Sequence, residues 1–308
     1  MADVETLFVT PSGRPRTAWR LLGFVIVLVL VAGFAVPLQR GAVDALGVGS
    51  LAAIVEVVGS VALYALLVLV VVGYARWVDQ RPRTGLGLGG GGFGQSLTVG
   101  LALGGAMTTA VFLVESVGGL VRIVDVLAVD SAVTVVPGGT VPAAALAPLG
   151  PLVIVALLVP FFVAVGVAEE VLVRGYLLTN VAEGLAGLRP IGERAAVWCA
   201  IGLTGGLFGA LHFANPSATL RSAAAISAIG VAIGWSYAVT GDLGIPMGVH
   251  VTWNLTLATV WGYPVSGLSS PASLLSVAVT GDPRVTGGAF GPEAGLVVAV
   301  PLAVLVGG

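Results

Sequence analysis

The chain has 308 residues, 57% of them apolar and only 9% charged, with a formal net charge of −2 and a mean hydropathy of +1.07. A soluble domain carries about 25% charged residues, so this composition is that of an integral membrane protein with room for one polytopic bundle. The near-zero charge leaves no footprint for nucleic acid, and the single Cys199 rules out an intrachain disulfide or a cysteine-based metal cluster.

Residues 1–17 are polar and read as a short cytoplasmic tail, not a cleaved signal peptide. The first apolar span is expected at about Ala18–Leu38, the second at about Leu51–Tyr74 and the third at about Gln95–Glu115, each near the roughly 20 residues a membrane helix needs. Glu115 is expected at the interface, and residues 120–147 read as a re-entrant or surface loop. A fourth segment runs from Pro148–Leu152 to about Leu185, with Pro160 as a kink site. Spans five to seven follow at about Arg194–Phe213, Leu220–Thr240 and Ile245–Trp261, and a last helix at about Glu293–Val306. The fold class is therefore all-α, a polytopic transmembrane helix bundle of about eight spans. It divides into the tail at 1–17, N-terminal helices and connectors at 18–147, a core at 148–262, and a loop with a C-terminal helix at 263–308. Placing the N-terminus in the cytoplasm puts eight arginines inside and four outside, apart from Arg174. The positive-inside rule then predicts a multi-pass cell (plasma) membrane protein with both termini cytoplasmic.

The polar groups within these spans are costly in hydrocarbon, and they fall into pairs four residues apart: Glu170 with Arg174, Phe208 with His212, and His250 with Asn254. On a helix, positions i and i+4 share a face. Arg174 can thus neutralise Glu170, while Glu169 points about 100° away and is left available for proton transfer. Gly202/Gly206 and Gly205/Gly209 are GxxxG spacings that let another helix approach His212 closely. Glu169 lies 21 residues before Pro190, at the centre of the turn, and His212 lies 22 after it, so an antiparallel hairpin sets them at one depth. Asn254 shares the His250 face and can orient a reacting group or donate to an oxyanion. His250 follows only a few residues after Asp242, so a simple crossing by span six would leave it far from His212 in depth. Buried Glu, Arg and His also mark ion pathways, so an ion-coupled transporter and a non-enzymatic scaffold stand as the competing readings.

In this order, Glu169-Glu170-Val171-Leu172-Val173-Arg174, Phe208-Gly209-Ala210-Leu211-His212 and His250-Val251-Thr252-Trp253-Asn254 resemble the EExxxR, FxxxH and HxxxN/D motifs of the CAAX protease and bacteriocin-processing (CPBP, or Abi) family of intramembrane proteases. The resemblance covers about Pro151–Trp261; Val173 departs from the Phe found in many members. It implies peptide-bond hydrolysis of a membrane-associated protein or peptide, lipid-modified or not, in a cavity within the bilayer. Carried over, Glu169 with His212 would activate water, His250 and Asn254 would stabilise the oxyanion, and Glu170, Arg174 and Phe208 would complete the site. The resemblance leaves metal open: Glu169, His212 and His250 would be the ligands of a divalent ion such as Zn2+, whereas the absence of HExxH favours a glutamate-activated water. It identifies no substrate and no oligomeric state.

Overall fold

The computed structural model describes residues 8–10, 12–129, 143–188 and 190–307. Arg189, Asp130, the 137–139 turn, Pro142 and most of the tail lie outside the described residues. Six helices are long and apolar enough to cross a membrane: α1 (Thr17–Leu46), α2 (Ser50–Trp77), α3 (Phe93–Val117), α4 (Pro151–Ala186), α5 (Glu193–Ala214) and α6 (Leu220–Thr240). All coincide with expected spans. α1 is the most peripheral and turns Leu30, Phe34 and Leu38 outward, as suits a helix whose solvent is hydrocarbon.

The last two expected spans are helical but shorter. α7 (Gly244–Leu255) continues as a π-helical turn, Thr256–Val260, and α8 is Ala299–Gly307. At 1.5 Å per residue, neither α-helical stretch covers the roughly 30 Å of a bilayer core. α7 is an interior element, with Gly244, Pro246 to Val251, Trp253 and Asn254 all buried.

The region expected to be a loop at 120–147 begins with a strand. β1 (Val121–Val129) pairs antiparallel with β2 (Ala272–Val279), from Val121 opposite Val279 to Val129 opposite Ala272. Both stretches are rich in β-branched and aliphatic residues, which favour an extended chain once a partner is present. That partner is about 150 residues away, beyond the reach of local pattern. The two-stranded sheet joins the end of α3 to the chain that follows α7. Glu115, near the end of α3, is fully buried within the protein.

Glycine sets how closely the helices approach. A Cβ on Gly209 would overlap Ser227 Oγ and the carbonyl oxygen of Ala223, and one on Gly205 would lie 2.9 Å from Val231 N, so α5 and α6 touch backbone to backbone. Gly202 and Gly206 meet nothing within 4 Å, so only one of the two GxxxG pairs is used. A second contact of this kind joins α3 to α7: Gly100 and Gly104 face Ile245 and Val249, while Gly244 and Gly248 face Leu97 and Leu101.

One end of the bundle is tied by charge. Arg14, Arg20 and Arg81 all reach Glu183 near the end of α4. Arg20 Nη1 also lies 3.7 Å from Asp79, and both side chains are almost fully buried. Burial pushes the Asp79 carboxyl above its ordinary range, opposed by Asn180 and then by Arg20, so losing that cation removes the nearest charge paired with a buried group.

Two predictions follow from this packing. Gly209→Ala is expected to lower stability by about 1–3 kcal/mol through overpacking, with Gly206→Ala unchanged, as read by thermal unfolding in detergent. Arg20→Ala is expected to cost about 3–5 kcal/mol, as for a broken buried pair, in the same measurement.

Candidate active site

Glu169 and Glu170 close the first α-helical part of α4, and the next eight residues, Val171–Leu178, are π-helical before the α-helix resumes at Thr179. Such turns inside α-helices recur at functional sites. Glu170 has no exposed area and Arg174 only 1%. Arg174 Nη1 donates to Glu170 Oε1 at 2.8 Å, and Nη2 donates to the carbonyl of Gly230 on α6 at 3.2 Å. The guanidinium also lies 4.6 Å from the centre of the Phe208 ring, a cation–π contact. The i,i+4 pair expected from the sequence is therefore present, and it is anchored on two further helices.

The same oxygen, Glu170 Oε1, receives His250 Nδ1 at 2.7 Å. A carboxylate only accepts, so Nδ1 carries a proton and Nε2 is the free face of the ring. Nε2 lies 3.9 Å from Glu169 Oε2, beyond direct hydrogen bonding and at a separation a water can bridge. The Glu169 side chain keeps 27% exposure. The adjacent carboxylates thus differ in environment: Glu170 is buried with two donors on Oε1, and Glu169 faces the cavity.

His212 caps α5 and begins its last, 3-10 turn. Its Nδ1 donates to the carbonyl of Phe208 at 2.7 Å. A carbonyl cannot donate, so in the neutral ring Nε2 bears the lone pair. The Phe208 ring stands 4.7 Å from His212 and 6.2 Å from His250, centre to centre.

His250 reaches this depth because the chain between α6 and α7 does not stay at the surface. Leu243 is fully buried, its N–H donates to the Gly87 carbonyl, and α7 starts inside the bundle against α3. His250 is thereby brought to the same cavity as His212.

Glu169, Phe208, His212, His250 and Asn254 all line one cavity of about 240 Å³. Its remaining walls are mainly apolar, including Leu158, Phe161 and Val165 from α4. A concave apolar site with a few converging polar groups is the usual form of a ligand pocket. Glu170 and Arg174 stand behind the wall. Sequence reading missed Tyr64, Asn215, the Ser266–Ser270 loop and Glu293, which also line it. The signal for Glu293 was a lone carboxylate in a poorly charged C-terminal stretch.

Among the described residues, no group of three His, Cys, Asp or Glu side chains is placed to hold a metal ion.

Residues 151–256 match the Rce1-like family, described as type II CAAX prenyl endopeptidase Rce1-like. The recognised motifs, from Glu169 to Asn254, fall within that match. That segment is similar to the Rce1-like family. This supports a CAAX-type endopeptidase, and the Rce1-like match with the six apolar helices supports an integral membrane protein. No curated protein and no solved structure matches the chain.

Arg174→Met is expected to destabilise the protein by about 3–5 kcal/mol, because it breaks a buried ion pair and leaves His250 as the one remaining donor to Glu170. Glu169→Gln, at a side chain that remains accessible, is expected to change the melting temperature little. Thermal unfolding of the two variants side by side reads this difference.

Proposed function

We propose that the chain is an intramembrane endopeptidase that hydrolyses a peptide bond of a membrane-associated protein or peptide. The observation that carries this reading is the convergence of Glu169, His212, His250 and Asn254, from three separate helices, on a single apolar-walled cavity.

In this mechanism Glu169 is the general base. It takes a proton from a water held beside it and later delivers that proton to the leaving amine. His212, with its Nε2 lone pair turned from the Phe208 carbonyl, accepts from the same water and orients it. The substrate carbonyl becomes a tetrahedral oxyanion, to which His250 Nε2–H and the Asn254 amide donate. With Nδ1 held by the Glu170 carboxylate, the imidazolium form of His250 has a fixed counter-charge and a fixed direction. Glu170 and Arg174 act through that ring and touch no reacting atom.

No resident metal takes part in this scheme. The bundle lies in the plasma membrane with both termini cytoplasmic; the meeting of Arg14, Arg20 and Arg81 at one end supports the inward placement of those segments.

Purified protein in proteoliposomes, given quenched membrane-anchored peptides with and without a lipid-modified C-terminus, tests the reading. Glu169→Ala and His212→Ala are each expected to lower kcat/KM by at least about 100-fold, and Asn254→Ala by about 100-fold, chiefly in kcat. Cleavage is expected to persist after chelation; a loss restored by Zn2+ would assign a metal. Equal cleavage by wild type and both alanine variants would remove the assignment.

A further inference from the structure

The chain leaving α7 crosses the cavity as an irregular loop, with Ser266, Leu268 and Ser270 among its lining residues. Little within the loop holds it, apart from the reciprocal bonds between Val265 and Leu268. Ser266 has a φ of 49°, a left-handed conformation that a non-glycine residue keeps only when its surroundings impose it. Three backbone groups of the loop are held from outside, and the Ser266 hydroxyl also lies 3.2–3.3 Å from the Glu293 carboxyl oxygens. The Ser266 N–H donates to Glu293 Oε2 at 2.5 Å, Asn215 Nδ2 donates to the Ser266 carbonyl at 2.9 Å, and the Gly267 N–H donates to the Phe290 carbonyl at 2.7 Å.

Glu293 is only 3% exposed, and its other oxygen, Oε1, accepts the indole N–H of Trp253 at 3.3 Å. Trp253 precedes Asn254 on the helix that carries His250. The carboxylate therefore bridges two walls of the cavity, the loop and α7. The bridged groups all donate, the N–H and O–H of Ser266 and the indole N–H of Trp253, so both carboxyl oxygens accept. A glutamine has one acceptor oxygen and would turn its NH2 toward the other donor. That requirement accounts for a carboxyl group, rather than an amide, in a place where burial is costly.

We infer that Glu293, which lies outside the 151–256 match, is a positioning residue: its carboxylate clamps the Ser266 loop to α7 and thereby fixes the wall against which a substrate is seated. The seating of substrate rests on the endopeptidase reading; the clamp itself does not.

The experiment separates the two. A reporter cysteine at Ser269, in a Cys199→Ser background, is labelled with a maleimide in the full-length protein. Glu293→Gln is expected to speed labelling by about tenfold or more, the effect of losing a hydrogen bond to a charged group. Trp253→Phe, which removes only the α7 end of the bridge, is expected to speed it by about threefold. In protein without the reporter, Glu293→Gln is expected to raise KM for the cleaved peptide by about tenfold with kcat within about threefold. Unchanged labelling in both variants overturns the clamp. A kcat loss of about 100-fold at constant KM and constant labelling also overturns it, by placing Glu293 in the chemistry. If no peptide is cleaved by any form, the endopeptidase reading fails while labelling still decides the clamp. If Glu293→Gln does not fold, Trp253→Phe decides it alone.

Discussion

A single carboxylate oxygen holds the centre of this bundle together. Glu170 Oε1 accepts from Arg174 and from His250, and Arg174 in turn donates to Gly230. One buried charge thus joins α4, α6 and α7. Enclosing it would be prohibitive without those donors, so the three helices are held in the one arrangement that supplies them. What the pair contributes is less net stability than direction: the imidazole of His250 is turned so that its second nitrogen faces Glu169. The accessible carboxylate takes its chemical character from the inaccessible one beside it.

Such a junction needs helices that lie close together, and the glycine faces provide this. Where α5 meets α6, Gly205 and Gly209 remove the side chains that would otherwise hold Phe208 and His212 away from the Glu170–Arg174 pair. Phe208 then lies against the guanidinium and between the two histidines, so a residue that would pass for ordinary packing in isolation shapes the electrostatics of the site.

Much of this was legible in the sequence, and the limit has a physical form. Six long apolar runs announce themselves because a bilayer sets their length. The Glu170–Arg174 pair and the shared faces of Phe208/His212 and His250/Asn254 are visible because helical periodicity places i and i+4 together. Contacts between helices have no such rule. The bond from His250 to Glu170 spans 80 positions, and the pairing of β1 with β2 is longer still. The sequence offered two GxxxG faces on α5 as equals; only the packing of α6 distinguishes them. Glu115 lies at the end of a span, where exposure is the usual fate of a carboxylate, yet here the chain beyond α7 covers it. Glu293 stayed hidden because its partners, Trp253 and Ser266, lie at no regular spacing from it.

The interleaved glycines of α3 and α7 carry a consequence for how this architecture can be altered. Gly100 and Gly104 on one helix, and Gly244 and Gly248 on the other, bring the two backbones into contact, so the surface that supports His250 and Asn254 is contributed by a helix far upstream of them. The segment bearing the three motifs is not a self-sufficient module. A transplant of 151–256 onto another set of membrane helices would bring the reactive side chains without the smooth rail on which α7 rests. Any functional exchange between such proteins must therefore move α3 and α7 as a single inherited unit, although about 130 residues separate them in the chain.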